Sequence, residues 1–172
     1  MSIFDVLTQY AQKSIATASN TSEAHYDEIA PQLPPDMLSK GMADTFRSDQ
    51  TPPFGDMVGQ LFGQSSPQQR AGLLSQLLQS LGPAAMAALG SGVLGRVLGP
   101  NNLPQAGQAP TITAAQANQV SPDDVREIAK HAEQNHPGVV NTVSDFFAQH
   151  PDLIKGIGAM GLAVLMGKMA NR

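Results

Sequence analysis

The stretch Gly156–Gly167, GIGAMGLAVLMG, runs twelve residues without a polar side chain, fenced by Lys155 and Lys168. A helix with no polar face has to be covered by its own domain, another copy, a lipid or an apolar ligand. Fully helical, the run spans about 18 Å, short of the roughly 30 Å hydrocarbon core of a bilayer. Extended to Leu153–Met169 it reaches only the lower limit for a span. Length therefore favours a packing helix, with an interfacial segment as the alternative. Gly158 and Gly161 stand one turn apart and allow close backbone approach on one side, while Leu162, Leu165, Met166 and Met169 fill the other. The pattern predicts one helix from about Asp152 to Met169 that touches neighbours on two faces.

The same run contains a GxGxxG match, Gly156-Ile157-Gly158-Ala159-Met160-Gly161. A dinucleotide fingerprint needs a preceding strand and an acidic residue about twenty positions on. Here a helix start precedes the glycines and no acidic residue follows them. Nor is Gly161 to Lys168 a phosphate loop, because the spacing is too long and Met169 stands where Ser or Thr is needed.

Working back from this run, helix punctuation recurs and no period-two alternation is sustained. His150-Pro151 and His136-Pro137 break the chain before it. Between them Val139, Val140, Val143, Phe146 and Phe147 form a stripe, and Val125, Ile128, Ala129 and Ala132 form one before that. Ser121 with Asp124, Thr113 with Gln116, and Ser66 with Gln69 read as capping boxes. Leu73, Leu74, Leu77, Leu78 and Leu81 are the buried face after Ser66, and Gly82-Pro83 ends that helix. The following piece, PAAMAALGSGVLGRVLG, is a poor helix former wherever its glycines are interior, at about 1 kcal/mol each. The cleanest amphipathic stripe is Phe54, Met57, Val58, Leu61 and Phe62, opened by Pro52-Pro53. Leu38, Met42 and Phe46 share a face after Pro34-Pro35-Asp36, and Tyr26 with Ile29 seats a short helix that Pro31 stops. A helix near 3–14 and a linker over 14–22 complete the N-terminal side.

Residues 99–112, GPNNLPQAGQAPTI, have neither periodicity nor helix propensity and read as an interdomain linker. The expected organisation is an all-α chain with an N-terminal helical region over 1–98, this linker, and a C-terminal helical bundle over 113–172.

Composition narrows the function. The 172 residues are 41 % hydrophobic but only 14 % charged, with 16 Gly and net charge −4. A surface so poor in charge tolerates self-association. The acidic balance argues against nucleic acid, which needs a basic footprint. No Cys is present, which excludes disulfides, thiol catalysis and thiolate metal sites. No basic residue precedes Lys13, and Asp5 interrupts the first apolar patch, unlike a secretory signal. The expected location is cytoplasmic, with membrane association as the alternative.

Chemistry is sparse. Glu127 and His131 are spaced i, i+4, which places two candidate metal ligands on one face of a helix. His25, His136 and His150 form no cluster with them in sequence. Asp123, Asp124 and Glu127 crowd a helix N-terminus, where carboxylates complement the helix dipole. No G-x-S-x-G elbow occurs. The expectation is a non-enzyme with no cofactor and no metal. The least generic turn is Phe46-Arg47-Ser48-Asp49-Gln50-Thr51-Pro52-Pro53-Phe54, either a structural corner or a place for a partner to dock.

The run TFRSDQTPPFGDMVGQLFGQSSPQQ, within Gly41–Gln69, and the later VSPDDVREIAKHAEQNHPGVV with FFAQHPDLIKGIG, resemble an uncharacterised family of small, chiefly proteobacterial proteins. That resemblance covers most of the chain and brings no assigned activity or binding residue. Residues 86–150 are also similar to the bacterial YidB-like domain of unknown function, in their Gly/Leu-rich segment, linker and capped helix pair. The chain lacks that domain's tryptophan-containing stretch, having no Trp.

The reading that unites these features is a helical interaction or assembly protein. It self-associates or docks a protein partner through the apolar helix, with Ile157, Gly158, Gly161, Val164 and Leu165 as contact residues and Phe46, Arg47 and Phe54 as a second contact. The alternative is a membrane-surface protein, or one that binds an apolar lipid or quinone-like ligand through segments 81–98 and 153–169.

Overall fold

A computed structural model describes Asp5, residues 22–99 and residues 111–171. The helix expected near 3–14, the linker over 14–22 and most of the linker over 99–112 lie outside the described residues. Among the described residues all regular structure is helical, as the periodicity predicts. In chain order the helices are α1 (Ser22–Ile29), α2 (Pro35–Phe46), α3 (Phe54–Gln64), α4 (Pro67–Gln79), α5 (Pro83–Gly90) and α6 (Val93–Leu98). They continue with α7 (Ala114–Asn118), α8 (Pro122–Asn135), α9 (Val139–Ala148), α10 (Pro151–Ile154) and α11 (Gly158–Ala170). Short 3-10 turns lie at Ala30–Gln32 and Lys155–Ile157.

The helix starts follow from local chemistry. The Ser66 hydroxyl accepts from the Gln69 amide, while the Gln69 side chain accepts from the Ser66 amide at 2.9 Å. Thr113 with Gln116 and Ser121 with Asp124 close the same reciprocal pair. Each such cap stabilises its helix by about 1 kcal/mol by satisfying amides that have no partner in the first turn. Prolines occupy the first helical position of α2, α4, α8 and α10, where the missing N–H costs nothing.

The chain forms two compact units that do not follow its order. One contains the described residues up to Pro53 together with those from Ser144 onward; the other runs from Phe54 to Val143. The sequence suggested a division at 99–112 instead. The units divide between Pro53 and Phe54 and again inside α9. Periodicity shows which face of a helix is apolar, not which distant helix will cover it, so α1 and α2 joining the last helices had no local signal.

In the unit Phe54–Val143, α3 lies along α8. Phe54, Met57, Val58, Leu61 and Phe62 are all buried, as are Val125, Ile128, Ala129 and Ala132 of α8. Two glycines set how close the helices come. A methyl group at Gly59 would stand 2.7 Å from the Pro122 carbonyl oxygen, and one at Gly55 2.9 Å from that of Arg126. Leu73, Leu74, Leu77 and Leu78 of α4 are buried, and α4 packs on α7 and α8. Arg70 of α4 closes the end of α3: its Nε donates to the Phe62 carbonyl at 3.0 Å and its Nη2 to that of Gly63 at 2.8 Å. Its guanidinium also lies 5.3 Å from the Phe62 ring centroid. The Gly-rich piece after α4 forms two short helices, α5 and α6, interrupted at Ser91-Gly92.

In the other unit, α11 packs on α2 and α1. Tyr26, Ile29, Leu38, Met42, Phe147, Ile154, Leu162, Leu165 and Met166 make its core. Phe46 meets Phe147 at 6.4 Å between centroids, and Phe147 meets Phe146 edge-on at 5.6 Å. The His150 Nδ1 lies 2.9 Å from the Phe146 carbonyl, and its ring packs on Phe146 at 4.7 Å, which fixes the break before Pro151.

Candidate functional site

The segment Pro151–Ala170 holds most of the residues that the sequence singled out, and its construction is specific. The expected single helix from Asp152 to Met169 is interrupted. One helical turn (α10) and a 3-10 turn lead to Gly158, whose φ is 79° and ψ 169°. That backbone conformation is essentially reserved for glycine. From Gly158 the chain restarts as α11. No strand precedes the GxGxxG match among the described residues, and its central glycine serves this joint.

The segment leading into the joint is clasped to α1. The Tyr26 hydroxyl donates to the Pro151 carbonyl at 3.1 Å across 125 residues of sequence. Lys155 pairs with Asp27. Burial pushes the Tyr26 phenol above its ordinary pKa, and the carboxylates of Asp152 and Asp27 push it the same way. The hydroxyl thus stays a donor where a free phenol would ionise. The Lys155 ammonium is held above its usual range chiefly by its hydrogen bond to Asp27. On the neighbouring face Ser39 donates to Asp145, tying α2 to α9.

Beyond the joint, α11 is enclosed. Leu162, Ala163, Val164, Leu165, Met166 and Met169 are each at most 2 % exposed. Met160, at 56 %, is the one large apolar side chain exposed among the described residues. The close approach between α11 and its neighbour is made by a glycine of α2. A methyl at Gly41 would stand 2.7 Å from the Met169 Cγ and 2.9 Å from a Leu165 methyl. The sequence placed that approach at Gly158 and Gly161. Instead Gly158 faces nothing within 4 Å, and Gly161 faces the Ile157 side chain of the preceding turn.

The expected contact residues therefore occupy different environments. Ile157, Gly161, Val164 and Leu165 are buried, and Gly158 is half-buried. Phe46 is buried in the same unit as α11, whereas Phe54 is buried in the other unit. Arg47 is exposed. The turn that follows it is tied by Thr51, whose hydroxyl lies 2.6 Å from the Thr45 carbonyl and 3.0 Å from that of Ser48. The Arg47 amide bonds the Ala43 carbonyl at 3.2 Å. Among the described residues no group of three His, Cys, Asp or Glu side chains is placed to hold a metal, and Glu127 and His131 are joined by no third ligand.

Three features escaped the sequence reading. A lone glycine inside a helix costs about 1 kcal/mol, so Gly41 in the middle of α2 carried a packing signal. Gly55, Gly59 and Gly63 repeat every four residues along α3, a small-residue stripe beside the hydrophobic one. The Tyr26–Pro151 and Asp27–Lys155 contacts had no local signal, because each joins residues more than 120 positions apart.

The chain matches no protein-family model, no curated protein and no solved structure.

Proposed function

We propose that the chain is a non-enzymatic helical interaction protein, and that it self-associates or docks a protein partner through the helix Gly158–Ala170. The observation that carries this reading is the helix itself. Its circumference is almost wholly apolar, yet it is mounted on a backbone joint that only glycine adopts readily. The joint aims the helix at α1 and α2, and a change of backbone angle at that one residue would re-aim the same apolar surface toward a partner. The low charge of the chain supports the same reading, because a weakly charged surface does not repel its own copies. In this reading the protein works in the cytoplasm, without a cofactor.

A second reading has its own observation. Pro151–Ala170 is 20 residues long and apolar enough to cross a membrane, although 61 % of its most apolar stretch is buried inside the protein. The exposed alanines of α5, Ala84, Ala87 and Ala88, add a weakly polar surface in a stretch without charge from Ala71 to Gly95. A membrane-surface or apolar-ligand protein would use these two segments.

Light scattering of the full chain in detergent-free buffer separates the readings. Self-association predicts a defined oligomer whose mass is a multiple of the 18.0 kDa chain. A monomer up to high concentration overturns it, and insolubility without detergent, or co-purified lipid, favours the membrane reading.

A further inference from the structure

We infer that Gly158 is the hinge of an exchange: α11 leaves its place against α1 and α2 and is replaced there by the α11 of a second copy of this chain. The inference rests on the self-association reading and names the partner and the route.

The sequence pattern and the backbone disagree just before α11. The apolar pattern runs through 152–169 as a single helix, but the backbone passes through a 3-10 turn at Lys155–Ile157 and takes a positive φ at Gly158. Rotating that residue from φ 79° into the helical region would join α10, the 3-10 turn and α11 into one helix over Pro151–Ala170. Such a helix is about 30 Å long and carries α11 away from its cradle. The base of the joint stays in place, because Pro151 is held by Tyr26 and Lys155 by Asp27, both before the hinge. A methyl group at Gly158 would meet nothing within 4 Å, so a side chain there acts on the backbone angle and not through a clash.

The occupant of the vacated cradle follows from its shape. The glycine notch at Gly41 receives Met169 and Leu165 of α11, and an identical helix from a second copy restores the same contacts. A bilayer would take the straightened helix but leave the cradle open. It would also have to accommodate Asp152, Lys155 and Lys168 within the span. A second copy avoids both costs.

Three measurements test the inference. Gly158→Ala penalises the closed backbone and favours the straight helix, so the dimerisation constant should rise by roughly tenfold or more. Gly167→Ala, inside α11 and also facing nothing within 4 Å, raises helix propensity without touching the hinge and should leave the constant within about twofold. Independently, Gly41→Cys with Met169→Cys places the only two thiols of the chain where α11 meets α2. Oxidation should yield a reducible dimer on a denaturing gel when α11 is exchanged, and a cross-linked monomer when it is not.

A dimer by light scattering with only intrachain cross-links overturns the exchange and leaves self-association standing. A monomer in both assays overturns both. Equal gains from Gly158→Ala and Gly167→Ala remove Gly158 as the hinge. Partition of Gly158→Ala into neutral phosphatidylcholine vesicles, with no dimer in their absence, overturns the second-copy partner in favour of lipid.

Discussion

Helices α3 and α11 are both apolar and both rich in glycine, yet their glycines do opposite things. In α3 the glycines face a neighbouring backbone: Gly55 and Gly59 bring α8 so close that a methyl group would meet carbonyl oxygens at 2.9 and 2.7 Å. In α11 the close approach belongs to the neighbour, through Gly41 of α2, and Gly158 sets the direction of the chain. Glycine in an apolar helix is thus not one signal. Its meaning depends on whether the missing side chain faces a backbone, a flexible side chain or open space. Only in the last case does an added side chain meet no atom, so its effect falls on the backbone angle alone.

The contrast between the two helices meets its severest test in their cores. Leu61 and Leu165 are both fully buried, so Leu61→Ala and Leu165→Ala should each cost about 3 kcal/mol in chemical denaturation. A cost below about 1 kcal/mol for Leu165→Ala alone would show that α11 is not a stable part of its unit.

The glycines give a smaller and more pointed contrast. At Gly59 the obstructing atom is a backbone oxygen that cannot yield, so Gly59→Ala should destabilise by about 2 kcal/mol. At Gly41 the obstructing atoms are the side chains of Met169 and Leu165. They can turn aside, and alanine gains about 1 kcal/mol of helix propensity, so Gly41→Ala should cost less than about 1 kcal/mol. Equal costs at the two positions would erase the distinction drawn between the helices.

The clasp that holds the base of α11 contributes least. Tyr26→Phe removes one hydrogen bond and should cost about 1 kcal/mol. Its pH dependence carries a definite sign. The Tyr26 phenol ionises at higher pH in the folded protein than in the unfolded chain, whose value is 10.0. The stability it adds is therefore complete below pH 10 and is lost as the pH rises further toward the folded value. Denaturation at about pH 9 and about pH 11, on either side of the unfolded value, should show a loss for the native chain that shrinks in Tyr26→Phe. An unchanged loss would place the effect elsewhere.

Much of the fold was legible because it is locally encoded. Ser66, Thr113 and Ser121 announce helix starts by the chemistry of unsatisfied amides, and the stripes from Leu38 to Phe147 announce which faces are buried. What was not legible is set by distant contacts. The clasp between Tyr26 and Pro151 leaves no trace in either local sequence. The break at Gly158 depends on one residue's choice of backbone angle, and helical periodicity ran through it unbroken. The candidate contact residues were selected for apolar character, and that same property places Ile157, Val164 and Leu165 inside the protein. In the proposed exchange Val164 and Leu165, which follow Gly158, pass to a second copy, whereas Ile157 precedes it and stays with the base of the joint.

Exchange of α11 between copies is tested most directly by mixing two single variants, Gly41→Cys and Met169→Cys. Each chain then carries one thiol, and positions 41 and 169 meet across two chains only when α11 has been exchanged. Exchange predicts a reducible heterodimer cross-linked between position 41 of one chain and position 169 of the other, increased when both chains also carry Gly158→Ala. Unlinked monomers after complete oxidation, with both variants folded, would contradict it.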